Sequence, residues 1–176
     1  MNRRIYILLL AVAFVSCNED KKSKANTNLL YFDLKGYFEK EAVRLQKLNP
    51  IVNKTVSVNG NQEIKKIKIA DWKKEFAVFI NADINKASWR GSFDVSEQNG
   101  VDYYTSDSKK IPIKRVAIKW NGERAGLIEV IIANKNILFQ SNDTLRYYPD
   151  SLYAIKKQQK IKLLNTKSYQ IIGKLK

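Results

Sequence analysis

Four carboxylates crowd one polar stretch of the chain: Asp94, Glu97, Asp102 and Asp107. A pair of carboxylates can hydrolyse a glycosidic bond without help from histidine, one as acid and the other as base or nucleophile. Such oxygen ligands also suit calcium. The run Asp94-Val95-Ser96-Glu97-Gln98-Asn99-Gly100, however, sets its glycine one residue later than an EF-hand loop needs. Acids in loops more often form turns and caps. The rest of the catalytic repertoire is thin. The chain has 176 residues and no histidine, which removes Ser-His-Asp triads, Cys-His dyads, imidazole ligands and His acid/base chemistry. Its single cysteine excludes intrachain disulfides and Cys-rich zinc sites. Seven glycines form no P-loop or dinucleotide pattern, and the serines have no recognisable base beyond lysine. No catalytic residue, metal ligand or cofactor is assigned.

Charge and aromatic residues point to binding. Lys and Arg number 32 against 17 Asp and Glu, a net charge of +15. Residues 151–176 hold lysines and no acid, and Lys156, Lys157, Lys160 and Lys162 are candidates for contact with an anionic surface. On a strand, Lys160 and Lys162 share one face. The competing explanation is that lysine guards sheet edges against aggregation, and arginine, the better bidentate phosphate reader, is the minority cation here. Tyr103-Tyr104 and Tyr147-Tyr148 are adjacent pairs, so a strand exposes one of each; Trp89 and Trp120 fall near turns. Exposed rings of this kind stack on sugars or grip partners, though most fill cores and sheet rims. No nucleic-acid motif is visible.

The single cysteine has a particular setting. Met1-Asn2-Arg3-Arg4 is basic, Ile5 to Val15 is an unbroken apolar run, and Phe14-Val15-Ser16-Cys17 leads into the polar Asn18-Glu19-Asp20-Lys21-Lys22. That is the order of a secretory signal peptide, and the apolar run is about half the length that spans a bilayer. The segment resembles the lipobox of bacterial lipoproteins, with Phe14 where Leu is usual. The resemblance implies cleavage between Ser16 and Cys17, diacylglyceryl on the Cys17 thiol, and attachment to the outer membrane through the acyl chains, on its periplasmic face or at the cell surface. Cleavage removes Arg3 and Arg4 and leaves 30 basic against 17 acidic residues, or +13. Glu19-Asp20 resembles the acidic export signal of Bacteroidota lipoproteins. Asp143-Thr144-Leu145 and Asp150-Ser151-Leu152 each resemble the short motif at which that group glycosylates exported proteins, implying sugar on Thr144 and Ser151.

The elements that must position these residues follow from periodicity. Residues 1–16 read as signal peptide, 17–28 as an acylated flexible tether, and 29–176 as one domain. Leu34, Phe38, Ala42, Leu45 and Leu48 recur at helical spacing, predicting a helix over about 33–48 with Asp33 as N-cap and Asn49-Pro50 as stop. Alternating Val52, Lys54, Val56 and Val58, then Asn59-Gly60-Asn61, then Ile64, Ile67 and Ile69 predict a hairpin. Asp71 caps a second helix with Trp72, Phe76, Phe79, Ile80 and Ile84 on its stripe, ending near Asn85. Residues 86–110 read as loop or irregular edge. From Ile111, short apolar runs alternate with turn signals at 121–122, 134–136, 141–143 and 149–150, the pattern of an antiparallel meander.

The fold class is therefore α+β: two N-terminal helices packed on a curved antiparallel β-sheet, a meander. The functional expectation is a lipid-anchored, non-catalytic envelope module that binds an envelope protein or an anionic glycolipid. A carboxylate-dependent envelope hydrolase is the alternative.

Overall fold

A computed structural model describes residues 29–176. Residues 1–28, which include Cys17 and the segments read as signal peptide and tether, lie outside the described residues. Helix α1 runs Leu34–Leu48 and buries Leu34, Phe38, Ala42 and Leu45, the stripe its spacing predicts. Asp33 caps it by accepting from the Gly36 N–H at 2.8 Å. A Cβ on Gly36 would meet the Asp33 carboxylate at 2.1 Å, so the glycine leaves room for its own cap. The helix stops at Asn49 in the left-handed region, followed by Pro50.

Strands β1 (Ile51–Val58) and β2 (Asn61–Lys68) form the expected hairpin. Its two turn residues, Asn59 and Gly60, both have positive φ. That is the tight turn whose twist matches the flanking strands. The second helical stripe is real but broken: α2 covers Trp72–Glu75 and α3 covers Ala77–Asn81, parted at Phe76. The Phe76 carbonyl accepts from both the Phe79 and Ile80 N–H groups, a local tightening of the turn. The stripe ends short of Asn85 because that side chain has other work. Asn85 accepts from the Tyr31 N–H and donates to the Tyr31 and Phe32 carbonyls, stapling the chain's entry. The helical part is thus one long helix and two short ones, and the short pair follows the first hairpin rather than opening the domain.

A turn of 3-10 helix at Ala87–Trp89 leads into β3 (Asp94–Gln98) and β4 (Val101–Thr105). This region, read from sequence as loop or irregular edge, is a second hairpin at one edge of the sheet, turning on Asn99-Gly100, again with positive φ at both. Then come β5 (Ile113–Asn121), β6 (Arg124–Lys135), β7 (Phe139–Tyr148), β8 (Leu152–Ile161) and β9 (Lys167–Leu175). The nine strands form one antiparallel sheet in the order β2-β1-β9-β8-β7-β6-β5-β4-β3. The meander holds for β3 to β9; the first hairpin joins it at the far edge by pairing β1 with β9.

Residues 141–143, expected as a turn, lie inside β7, with Asn142 facing Gln158 on one side and Ala133 on the other. Two flanking ladders satisfy every backbone group there, which outweighs the turn preference of Ser-Asn-Asp. One sheet face carries the row Tyr153, Tyr147, Ile128, Ile118 and the row Ile155, Leu145, Val130, Val116. The helices cover these rows. Phe38 stacks on Phe79 at 4.5 Å and meets Phe76 and Tyr147 edge-on. Of the tyrosine pairs, Tyr147 and Tyr104 are buried, while Tyr148 is exposed and Tyr103 half-buried.

Two carboxylates bolt helices to this face. Tyr147 on β7 donates to Glu41 of α1, and Tyr153 on β8 donates to Glu75 of α2. The two tyrosines are direct cross-strand partners. Arg44 ties Glu41 to Asp150 in the β7–β8 turn, and Lys54 on β1 pairs with Glu75 at 2.7 Å. Burial, and then the bond to its carboxylate, pushes each tyrosine's pKa up, so both phenols stay protonated donors.

Candidate functional site

The helical layer stops at Ala82, one row short of the sheet's inner face. The next cross-strand row is Ile113, Ile132, Asp143 and Lys157. It is left under a groove of about 300 Å³. Val78, Asn81 and Ala82 of the α3 region form one wall, and Lys86 and Trp89 at the 3-10 turn form its corner. Ile113, Ile132, Leu145 and Ile155 make an apolar floor, with Asn134 at the open end. The Lys86 ammonium sits 4.2 Å from the centre of the Trp89 ring.

Asp143 is the unusual member. Strand alternation that sends Leu145 and Tyr147 to the core sends Asp143 and the buried Ser141 the same way. Its Oδ2 faces the Lys157 ammonium at 3.7 Å, while its Oδ1 is buried with no hydrogen-bond partner. Burial pushes the carboxyl above its usual range, against the pull of Lys157 and the Ser141 hydroxyl. The other buried orphan among the described residues, Trp72 Nε1, sits in the aromatic core and lines none of the pockets described. A carboxylate oxygen without a donor, set over an apolar floor, suits a ligand that brings a hydrogen-bond donor on an apolar body.

A carboxyl with a raised folded-state pKa is ionised at the expense of stability. The penalty is absent below the unfolded pKa, near 3.8, and grows as pH rises through the folded one. Asp143→Asn should therefore raise stability at pH 7. The gain should shrink to nothing in acid, and thermal melts of both chains across pH 3–8 read it directly. Glu129, on the outer face, behaves in the opposite sense. Burial raises it, but hydrogen bonds from Arg146 and Arg115 at 2.7 Å each outweigh that and hold its pKa low.

The sequence-derived sites are dispersed. Glu97 and Asp102 are direct partners across β3 and β4, but each is already engaged. Glu97 accepts from the Gly100 N–H at 3.1 Å, and Asp102 accepts from Trp120 Nε1 at 2.8 Å. Asp94 faces the other side of the sheet from this pair, and Asp107 lies in the β4–β5 connection. The acids thus turn a hairpin and hold an indole rather than flanking a cleft.

Lys156 and Lys160 share the outer face of β8, whereas Lys157 points inward to Asp143. Lys162 lies past the end of β8 in the following turn, so it does not share a strand face with Lys160. Thr144 is in mid-strand between Ile131 and Lys156, not at a turn, while Ser151 is exposed in the β7–β8 turn. Asp143 itself, the centre of the groove, was visible in sequence only as part of a short motif. The available signal was period two: Ser141, Asp143, Leu145 and Tyr147 alternate onto one face. No family model, no curated protein and no solved structure matches the chain.

Proposed function

We propose that the chain is a lipid-anchored envelope lipoprotein whose folded part is a non-catalytic binding module, with the groove under α3 as its ligand site. The observation that carries the binding part is the orphaned Asp143 oxygen above an apolar floor. Proteins leave such an atom unpaired at a cost, and a ligand donor would repay it. The groove offers one carboxylate beside an ammonium and two amides, Asn81 and Asn134, rather than the spaced acid and base that bond cleavage requires. The anchor part rests on Cys17 and its apolar, small-residue setting. The partner it implies is a component of the same envelope, with no nucleic acid and no cofactor.

Two variants test the two parts. Val78 lines the groove and is 41% exposed at its rim, outside the buried core, so Val78→Trp fills the opening. The fluorescent probe 1-anilinonaphthalene-8-sulfonate, apolar rings with a sulfonate for Lys86 or Lys157, should bind the parent chain and bind Val78→Trp at least about tenfold more weakly. Equal binding by both chains would sink the groove as a site. With residues 1–16 exchanged for a secretory signal whose removal needs no cysteine, Cys17→Ser should move the protein from the membrane to the soluble fraction after a wash in about 1 M salt, which screens exposed lysines. Retention of that variant on membranes would sink the acyl anchor.

A further inference from the structure

The end of the sheet beyond the groove carries a feature that ligand binding does not explain. Ile137 and Leu138 occupy the β6–β7 turn, and Leu163 and Leu164 the β8–β9 turn. All four are strongly exposed, at 88%, 68%, 97% and 59%. The turns are neighbours: Phe139 pairs with Ile161 at the end of β7 and β8, and the Lys162 N–H donates to the Leu138 carbonyl at 2.8 Å. They are also fixed in shape. Asn136 Oδ1 accepts from the Leu138 and Phe139 N–H groups, and the Leu164 N–H returns to the Ile161 carbonyl.

Leu163 has φ of 68°, a conformation that suits Gly or Asn and penalises a branched apolar residue. A large leucine is thus held outward where both backbone and solvent disfavour it. Around this tip stand Lys135, Lys160, Lys162 and Lys167, all exposed and with no ion pair among the described residues. The segments 134–142 and 158–168 contain no acid.

We infer that this paired tip docks into an anionic lipid surface, its four aliphatic side chains entering the acyl boundary and its lysines meeting the headgroups. Aliphatic tips ringed by lysine match a bilayer, where long cationic stems reach back to phosphate. A protein partner is the poorer fit, because interface cores favour Tyr, Trp and Arg and are depleted in lysine. Each leucine or isoleucine withdrawn from water contributes a factor of roughly ten in partitioning. Each lysine near an anionic surface adds a factor of roughly five. This inference does not rest on the groove.

The test uses the mature chain, residues 17–176, carrying Cys17→Ser, so that both the apolar signal segment and an acyl chain are absent and one cysteine can be placed at will. A nitrobenzoxadiazole label at Leu163→Cys is mixed with vesicles of phosphatidylglycerol and phosphatidylcholine whose acyl chains bear a quencher. The label should shift blue and be quenched. The same label at Glu123→Cys, in the β5–β6 turn at the opposite end of the sheet, should not respond. Ile137→Asp with Leu164→Asp should weaken partitioning at least about tenfold. Lys160→Glu with Lys162→Glu should erase the preference for phosphatidylglycerol over pure phosphatidylcholine. Vesicle binding with the Leu163 label still in water, or no partitioning at all, would overturn the inference. So would tip-dependent dimers in sedimentation without lipid, which would assign the tip to a second copy of the chain. Because the readout is local to the tip, its failure leaves the Val78→Trp and Cys17→Ser outcomes untouched.

Discussion

Alanine at Gly173 should destabilise the fold by about 3 kcal/mol, the largest loss expected from so small a change. Gly173 lies on β9 directly opposite Tyr153, and a Cβ there would stand 2.2 Å from the Tyr153 ring. Such a contact is affordable only if the ring moves. It cannot: Tyr153 is fully buried, meets Trp72 and Phe76 edge-on, and is pinned at its far end by the bond to Glu75. The clash must spread into β9, and through β9 into its ladder with β1. Urea titration of Gly173→Ala should show the shifted midpoint. Adding Tyr153→Leu, which removes the offending ring edge, should recover part of the loss. Gly126→Ala, whose Cβ would only brush Asn121 at 3.3 Å, is the matched control and should cost under about 1 kcal/mol. If Gly173→Ala melts with the parent, the packing of Tyr153 against β9 is misjudged.

The second large effect belongs to Glu75. Its carboxylate takes the Tyr153 hydroxyl at 2.5 Å and the Lys54 ammonium at 2.7 Å, joining α2, β8 and β1 at one point. Glu75→Ala leaves a buried phenol without its acceptor and a half-buried ammonium without its counterion. Removing one partner of such a group costs more than the group contributes, and the expected loss is about 3 kcal/mol. Tyr153→Phe alone should cost less, about 1–2 kcal/mol, since it deletes one donor and leaves the Glu75–Lys54 pair intact. In a double-mutant cycle the two changes should be non-additive by about 1–2 kcal/mol. Additive losses would mean that the hydroxyl and the carboxylate stabilise the fold independently. Glu41 and Tyr147 repeat the arrangement one strand away, which is why α1 and α2 sit side by side over the same row.

Much of this architecture is legible in the residues. The stripe Leu34, Phe38, Ala42, Leu45 has one reading, and Asn59-Gly60 between alternating apolar residues has one reading. The hairpin at Asn99-Gly100 carries the same turn signal. Its first strand gives no alternation to read, because β3 is exposed at every position and Val95 is its single apolar residue. The turn expected at 141–143 failed for the opposite reason. Ser, Asn and Asp prefer turns when alone, and only the ladders on either side, formed by residues distant in sequence, overrule them. The site follows the same division. Trp89 and Lys157 were visible singly, but the row Ile113, Ile132, Asp143 and Lys157 exists only once four strands are in register. The exposure of Ile137, Leu138, Leu163 and Leu164 is likewise invisible to composition, where they read as ordinary apolar residues.

The pairing of β1 with β9 has a consequence in time. Every other ladder joins strands that are consecutive in the chain and can zip as each hairpin appears. Val52 pairs with Ile67 within its own hairpin, but on its other side it meets Leu175, at the far end of the chain. Until β9 is available, the first hairpin has nowhere to dock, Lys54 cannot complete its contact across the sheet, and both β1 and β8 present bare edges to other chains. That seam is the sheet's pairing of greatest sequence separation, so it carries the largest loop-closure cost, and refolding of a chain weakened there should slow more than that of one weakened in any hairpin.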